Sequence, residues 1–138
     1  MTPQGVYDTN VIVSALLKPG SIPASLVALA MEGSVRLFLT PEILEEYREV
    51  LKRPRFGFDP GAVEAFLHDI EKAAVLVYPA KRARSALDEP DNRFLECAEE
   101  AKAHYLVTGN KKHFPFSEFK GTQIVSPAEF AALLFPGS

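Results

Sequence analysis

The chain of 138 residues holds one cysteine, no tryptophan and two methionines. The lone thiol, Cys97, excludes an intramolecular disulfide and a cysteine-rich zinc site. Its apolar neighbours at helical spacing make it a small core residue. Excess charge of one sign is also missing: the formal net charge is −3, so the molecule lacks the strongly basic field of many nucleic-acid-binding domains. Any phosphate-binding surface has to be local. No apolar run approaches the roughly 18 residues of a spanning helix, and Met1-Thr-Pro-Gln-Gly5 carries no basic region followed by an apolar one. The cytoplasm is the expected compartment, with no membrane partner. A G-x-G-x-x-G turn, a Walker lysine and a G-x-S-x-G elbow are absent, and His68, His104 and His113 lack metal-ligand spacing. Dinucleotide binding, serine hydrolysis and zinc chemistry have no footing, and each histidine reads as a surface or strand-end residue.

What is present is a core. Hydrophobic residues make up 47% of the chain, with 10 Phe, enough for one compact domain spanning residues 1–138. Short apolar runs rich in β-branched and aromatic residues predict strands at 6–7, 35–39, 74–77, 105–108 and 123–125. Helical spacing predicts helices over 11–17, 22–31, 41–52, 60–72, 91–102 and 127–134. Pro23, Pro41, Pro60, Pro90 and Pro127 suit first helical turns. The 53–60 and 79–89 stretches, with their Pro, Gly and charged residues, read as loops. Almost fully apolar strands alternating with helices imply a mostly parallel sheet covered on both faces, whose ligands bind beyond the carboxyl ends of strands.

Four segments bring polar groups to such places. Asp8, in Val6-Tyr-Asp-Thr-Asn10, ends the opening strand just before a helix that Thr9 or Asn10 would cap; Asp8 itself is an equally good cap. In the helix over 41–52, Ile43, Leu44, Tyr47, Val50 and Leu51 form an apolar stripe. Glu42, Glu45 and Glu49 fall roughly 140° to 160° from its centre, but Glu46 only about 100° away. Glu46 therefore borders the buried face, while the others read as solvated, with Glu49 spaced to pair with Arg53. Asp91 lies within about 20° of the centre of the stripe made by Phe94, Leu95, Ala98 and Ala101. An acid on a core-facing line is costly unless it is hydrogen-bonded, capping or facing a cation, and Asp88 three residues earlier offers an alternative cap. Finally, Tyr105-Leu-Val-Thr108-Gly-Asn110 is a buried strand ending in a turn, with Thr108 and Asn110 at its carboxyl end.

Together these oxygen donors suit a hard divalent cation, Mg²⁺ or Mn²⁺, with several waters retained. Such an ion activates water and stabilises charge on an attacked phosphodiester, so no covalent nucleophile is needed.

With Asp8-Thr-Asn10, Glu46-Tyr-Arg-Glu-Val-Leu51, Asp88-Glu-Pro-Asp91-Asn-Arg-Phe-Leu-Glu-Cys-Ala98 and Tyr105-Leu-Val-Thr-Gly-Asn-Lys-Lys-His-Phe114 in this order, the chain resembles the PIN-domain family over nearly its whole length. The likeness is to the short prokaryotic members described as toxins of toxin–antitoxin pairs (VapC-like). It implies a three-layer α/β/α fold with a central parallel sheet of about five strands. It also implies Mg²⁺- or Mn²⁺-dependent ribonuclease activity at Asp8, Glu46 and Asp91, with Thr9 in support; the residues themselves add Asn10, Asp88, Thr108 and Asn110 as supporting candidates, Thr108 and Asn110 for a metal's water shell. A small antitoxin protein and a homodimer are the implied protein partners. Asn110 stands where many members carry a fourth acid, which lowers the site charge. Lys18, Arg53, Arg55, Lys111 and Lys112 are the candidate contacts to RNA phosphates. Phe114, Phe116, Phe119 and Phe135 are a candidate apolar patch. The non-enzymatic alternative is the same fold binding RNA or a protein in a regulatory role. A dehalogenase-like phosphatase would need an acid where Asn10 stands.

Overall fold

The structure, a computed structural model, describes residues 2–136. Six helices and six strands follow one another as β1 (Gln4–Tyr7), α1 (Thr9–Leu17), α2 (Ile22–Met31), β2 (Arg36–Leu39), α3 (Pro41–Leu51), α4 (Pro60–Ala73), β3 (Val75–Leu76), α5 (Asn92–Ala101), β4 (Tyr105–Val107), β5 (Glu118–Phe119), β6 (Thr122–Val125) and α6 (Pro127–Leu134). The strand order is β3-β2-β1-β4-β6-β5, parallel except for β5 against β6. This is the expected three-layer α/β/α arrangement. The strands are apolar because both faces are covered: Val6, Tyr7, Leu37, Leu39, Leu106 and Val107 are all buried. Among the described residues no single helix is long and apolar enough to cross a membrane.

Helix starts follow local chemistry. Pro23, Pro41, Pro60 and Pro127 occupy first turns, and Pro90 lies in a 3-10 turn at Glu89–Asp91 that leads into α5. Thr40 caps α3 by accepting from the Ile43 amide at 3.0 Å, and Ser126 and Glu129 close a capping box on α6.

The five parallel strands are the expected sheet; β5 adds a sixth, antiparallel to β6, through a hairpin whose turn residues, Lys120 (φ 50°) and Gly121 (φ 91°), both take positive φ, as a type I′ turn requires. Two expectations need correction. Helix α1 begins at Thr9, not at residue 11, so Thr9 and Asn10 are inside its first turn and Asp8 is the backbone N-cap. The four phenylalanines do not form one exposed patch: Phe114 is buried, Phe116 stacks on Phe119 at 5.6 Å, and Phe135 alone is substantially exposed, beside Leu133.

The long connection over 77–88 has little backbone pairing of its own. Its amides are satisfied by one ridge of α5, where Asn92, Glu96 and Glu100 succeed each other at i, i+4 spacing. Asn92 Oδ1 accepts from Ala86 N at 2.9 Å, Glu96 Oε2 from Ala83 N at 3.0 Å, and Glu100 Oε1 from Ala80 N at 2.9 Å. Glu96 is only 3% exposed and also receives Arg82 Nη1 at 3.2 Å and Arg93 Nη2 at 2.9 Å. Arg82 reaches on to Glu42 of α3. A buried carboxylate is tolerated here because every partner is present. Glu96→Ala is therefore expected to lower unfolding free energy by about 2–3 kcal/mol, and Glu96→Gln by less, since it retains an acceptor for the Ala83 amide. Urea unfolding measures both; a loss from Glu96→Ala no larger than at an exposed glutamate such as Glu71 would refute the role.

Candidate metal centre

Chain order builds the site. Strand β1 has β2 on one side and β4 on the other, so the sheet changes direction of winding between β1 and β4. Asp8 follows β1 and Thr108 follows β4, and the backbone fastens them side by side: Asp8 N donates to Val107 O at 2.9 Å. Thr108 Oγ1 donates to Asp8 Oδ2 at 2.8 Å, and Asn10 Nδ2 donates to the same oxygen at 3.3 Å. Asn10 Oδ1 accepts from Gly109 N at 2.8 Å. A side chain on Gly109 would begin 3.3 Å from that Asn10 oxygen, which explains glycine at this turn.

Glu46 is the one glutamate of α3 that is not exposed, and it accepts a hydrogen bond from Thr9 Oγ1. Next to it, Tyr47 is fully buried and donates its hydroxyl to the Tyr7 carbonyl, locking α3 against the end of β1. Asp91 is buried at the 3-10 turn before α5 and meets His113 Nδ1 at 2.8 Å. Neither Asp8 nor Asp91 closes a side-chain capping bond of ordinary geometry on the helix that follows it, although the Thr9 and Asn10 amides lie close enough to favour the charged Asp8 carboxylate. Asp88 likewise makes no capping bond.

Asp8, Thr9, Asn10, Asp91 and His113 line a cavity of about 280 Å³, with Val13, Val50, Arg55 and Phe56 on its walls. The electrostatics are those of an anionic bowl with Arg55 on its wall. Burial pushes the Asp8 carboxyl up to about 6, the Thr108 hydrogen bond opposes this, and the charge of Asp91 raises it further. Burial also raises Glu46, against the Thr9 hydrogen bond, and Asp8 adds to the rise. Asp91 is raised by burial, held back by His113, and raised again by Asp88 and Glu46. Each of the three acids thus feels at least one of the others.

Ligand-type atoms of Asp88, Asp91 and His113 lie within 4.8 Å of one another. His113 is the site residue that the sequence reading set aside. Its signal was weak, a histidine five residues after a strand-end threonine, and nothing in linear spacing brings it to Asp91, 22 positions earlier. His68 and His104 are exposed, as expected.

The candidate RNA contacts separate in space. Arg55 lines the cavity, with its guanidinium 4.8 Å from the centre of the Phe56 ring. Arg53 pairs with Glu49 at 2.9 Å and its charge reaches Glu46. Lys111 pairs with Glu129 at 2.9 Å, and Lys112 is exposed. Lys18 sits at the opposite end of α1 from Asp8, about 13 Å along a nine-residue helix.

The PIN domain profile matches residues 4–112, from β1 through the turn that carries Asn110. The chain belongs to the PIN domain family. An uncharacterised protein of Methanocaldococcus jannaschii is 30% identical over 109 residues, which cover 77% of this chain and 70% of that protein. PIN domains are generally metal-dependent nucleases, and the donors of this PIN domain fit such an ion: oxygen ligands, desolvated, mutually repelling, and with no Lys or Arg in salt-bridge contact with Asp8 or Asp91 among the described residues.

Cation-free, this arrangement costs stability. The Asp8 carboxyl titrates near 6 when folded and at about 3.9 in an unfolded chain. The native state holds the extra proton between those values, so stability falls as pH rises from about 4 to 6 and stays low above. In EDTA at pH 8, Asp8→Asn is expected to raise unfolding free energy by roughly 2 kcal/mol, a gain that shrinks towards zero near pH 4. Urea melts across pH decide it; an Asn variant that is no more stable than wild type at pH 8 shows that the burial of Asp8 carries no such penalty.

Proposed function

We propose that this PIN domain is a ribonuclease that cleaves RNA phosphodiester bonds with Mg²⁺ or Mn²⁺ at Asp8, Glu46 and Asp91. The observation that carries the reading is the gathering of these three carboxylates at the sheet's switch point: Asp8 and Asp91 line one cavity, Glu46 is tied to its rim residue Thr9, and burial and mutual charge raise all three. Structural ion pairs do not explain them. When bound, the cation supplies positive charge for the phosphate and activates a water for attack.

The chain's own residues do the rest. Thr108 and Asn10 hold the Asp8 carboxylate by one oxygen, Oδ2, and Thr9 orients Glu46. Asn110 N donates to Thr108 Oγ1 at 3.0 Å, which fixes the hydroxyl that serves Asp8. Asp88 adds negative charge beside Asp91. Arg55 on the cavity wall suits a backbone phosphate, Arg53 follows the Val50 wall by three residues, Lys111 and Lys112 follow Asn110 in the turn after β4, and Lys18 serves only a longer RNA. The apolar wall of Val13, Val50 and Phe56 suits a base or ribose next to the scissile bond.

The resemblance to short prokaryotic PIN proteins supports a finer role in the cytoplasm as the toxin of a toxin–antitoxin pair, with a small protein partner covering the cavity. A panel of single-stranded RNAs incubated with Mg²⁺, Mn²⁺ or EDTA tests the reading. Wild type is expected to cleave only with metal, and a folded Asp8→Asn, Asp91→Asn double variant to lose at least about 100-fold in rate, the scale of removing charge stabilisation from a phosphoryl transition state. Intact RNA throughout, with metal bound and RNA retained, would instead assign a regulatory binding role.

A further inference from the structure

We propose that Asn110 and His113 form a proton-fixed relay that orients Asp91, with His113 a positioning residue and not a ligand of the cation. The inference rests on the metal-site reading above and concerns how that site is held.

The geometry assigns a direction to each hydrogen bond. Asn110 Nδ2 lies 2.8 Å from His113 Nε2, and His113 Nδ1 lies 2.8 Å from Asp91 Oδ2. An amide nitrogen only donates, so Nε2 accepts through its lone pair and the ring proton resides on Nδ1. Nδ1–H then donates to Asp91. Both ring nitrogens are thereby committed: one carries a proton and the other has its lone pair engaged, which leaves neither for a metal. Asp91 Oδ1, in contrast, receives no protein donor among the described residues, so the relay fixes one carboxylate oxygen and leaves its partner for the cation.

The two relay residues share a 3-10 turn, Lys111–His113, closed by His113 N donating to Asn110 O at 3.1 Å; the three-residue period of that turn stacks their side chains. Its ends are anchored on both sides of the cavity. Asn110 N bonds Thr108 Oγ1, which bonds Asp8, and the His113 carbonyl accepts from Leu87 N at 2.9 Å, one residue before Asp88. A continuous path of hydrogen bonds therefore runs from Asp8 through Thr108, Asn110 and His113 to Asp91. Asparagine at position 110 accordingly does a task that an ionised carboxylate, which only accepts, cannot do: it donates to Nε2 and so leaves the ring proton on Nδ1, facing Asp91.

Partners that orient a ligand from behind typically govern metal affinity by 10- to 100-fold. The test uses the full chain labelled with ¹⁵N-histidine at pH 8, observing ring nitrogens by NMR before and after saturation with Mg²⁺, and Mg²⁺ binding by calorimetry for wild type, His113→Ala and Asn110→Ala, each checked for folding by circular dichroism. Expected is a His113 ring protonated on Nδ1 alone, unchanged by Mg²⁺, with Mg²⁺ bound about 10- to 100-fold more weakly by both variants. A proton on Nε2 or on both nitrogens overturns the relay, and an Nδ1 proton lost on adding Mg²⁺ overturns it in favour of direct ligation. Variants that bind Mg²⁺ as tightly as wild type remove the positioning role. Wild type that takes up neither Mg²⁺ nor Mn²⁺ sinks the functional reading instead, and the ring spectrum of the metal-free protein still decides the relay.

Discussion

Asp8 is 4% exposed at the carboxyl end of β1, hydrogen-bonded by neutral donors and, among the described residues, without a basic partner in contact. Holding an ionisable group there demands that several independent segments arrive together. The parallel pairing of β1 with β4 brings Thr108 beside it. Glycine at position 109 lets the Asn10 amide close the turn, and the buried Tyr47 hydroxyl on the Tyr7 carbonyl pins α3, and with it Glu46, to the same strand end. The unfavourable charge is a property of the assembled fold. No local segment creates it.

Presenting the third acid is a separate problem, solved by polar groups on a helix. Asp91 and Asp88 belong to an irregular connection that would otherwise have unpaired amides. The ridge of Asn92, Glu96 and Glu100 on α5 supplies acceptors for that connection at three successive places, and α5 itself contacts β1, β2 and β4. The loop's placement is therefore referred to the same central strands that place Asp8. Buried Asn92 and Glu96 serve the site without touching it, which is why the region bearing Asp91 tolerates two fully buried polar side chains next to Phe94 and Leu95.

The charge distribution follows the same division. A net charge of −3 is compatible with repulsion concentrated at one acidic cluster whose cavity carries Arg55 on its wall. Several other basic residues are spent on neighbouring acids, Arg48 and Lys52 on Glu64 and Arg53 on Glu49, and so contribute little net field of their own.

Much of this was legible before folding was considered, because it depends on period and composition. The apolar stripe of α3 singled out Glu46 from its three neighbours, and the stripe of α5 singled out Asp91, since a helix of fixed pitch maps sequence spacing onto a face. Strand-end positions of Asp8 and Thr108 followed from apolar runs that stop at a polar residue. Other features depended on contacts between segments far apart in the chain. The short β5 hairpin is too brief for a periodic signal, and His113 acquires its role only when the turn after β4 packs against the loop before α5. Glu96 is buried only because the 77–88 connection folds over it. The sequence by itself determined the alternation of elements, the capped helix starts and the two helical faces bearing acids, because these are set within a turn or two of backbone. Only the tertiary structure decided which oxygens share a cavity, that His113 stands between Asn110 and Asp91, and which acids are desolvated, because those depend on distances that the chain's local conformation leaves open.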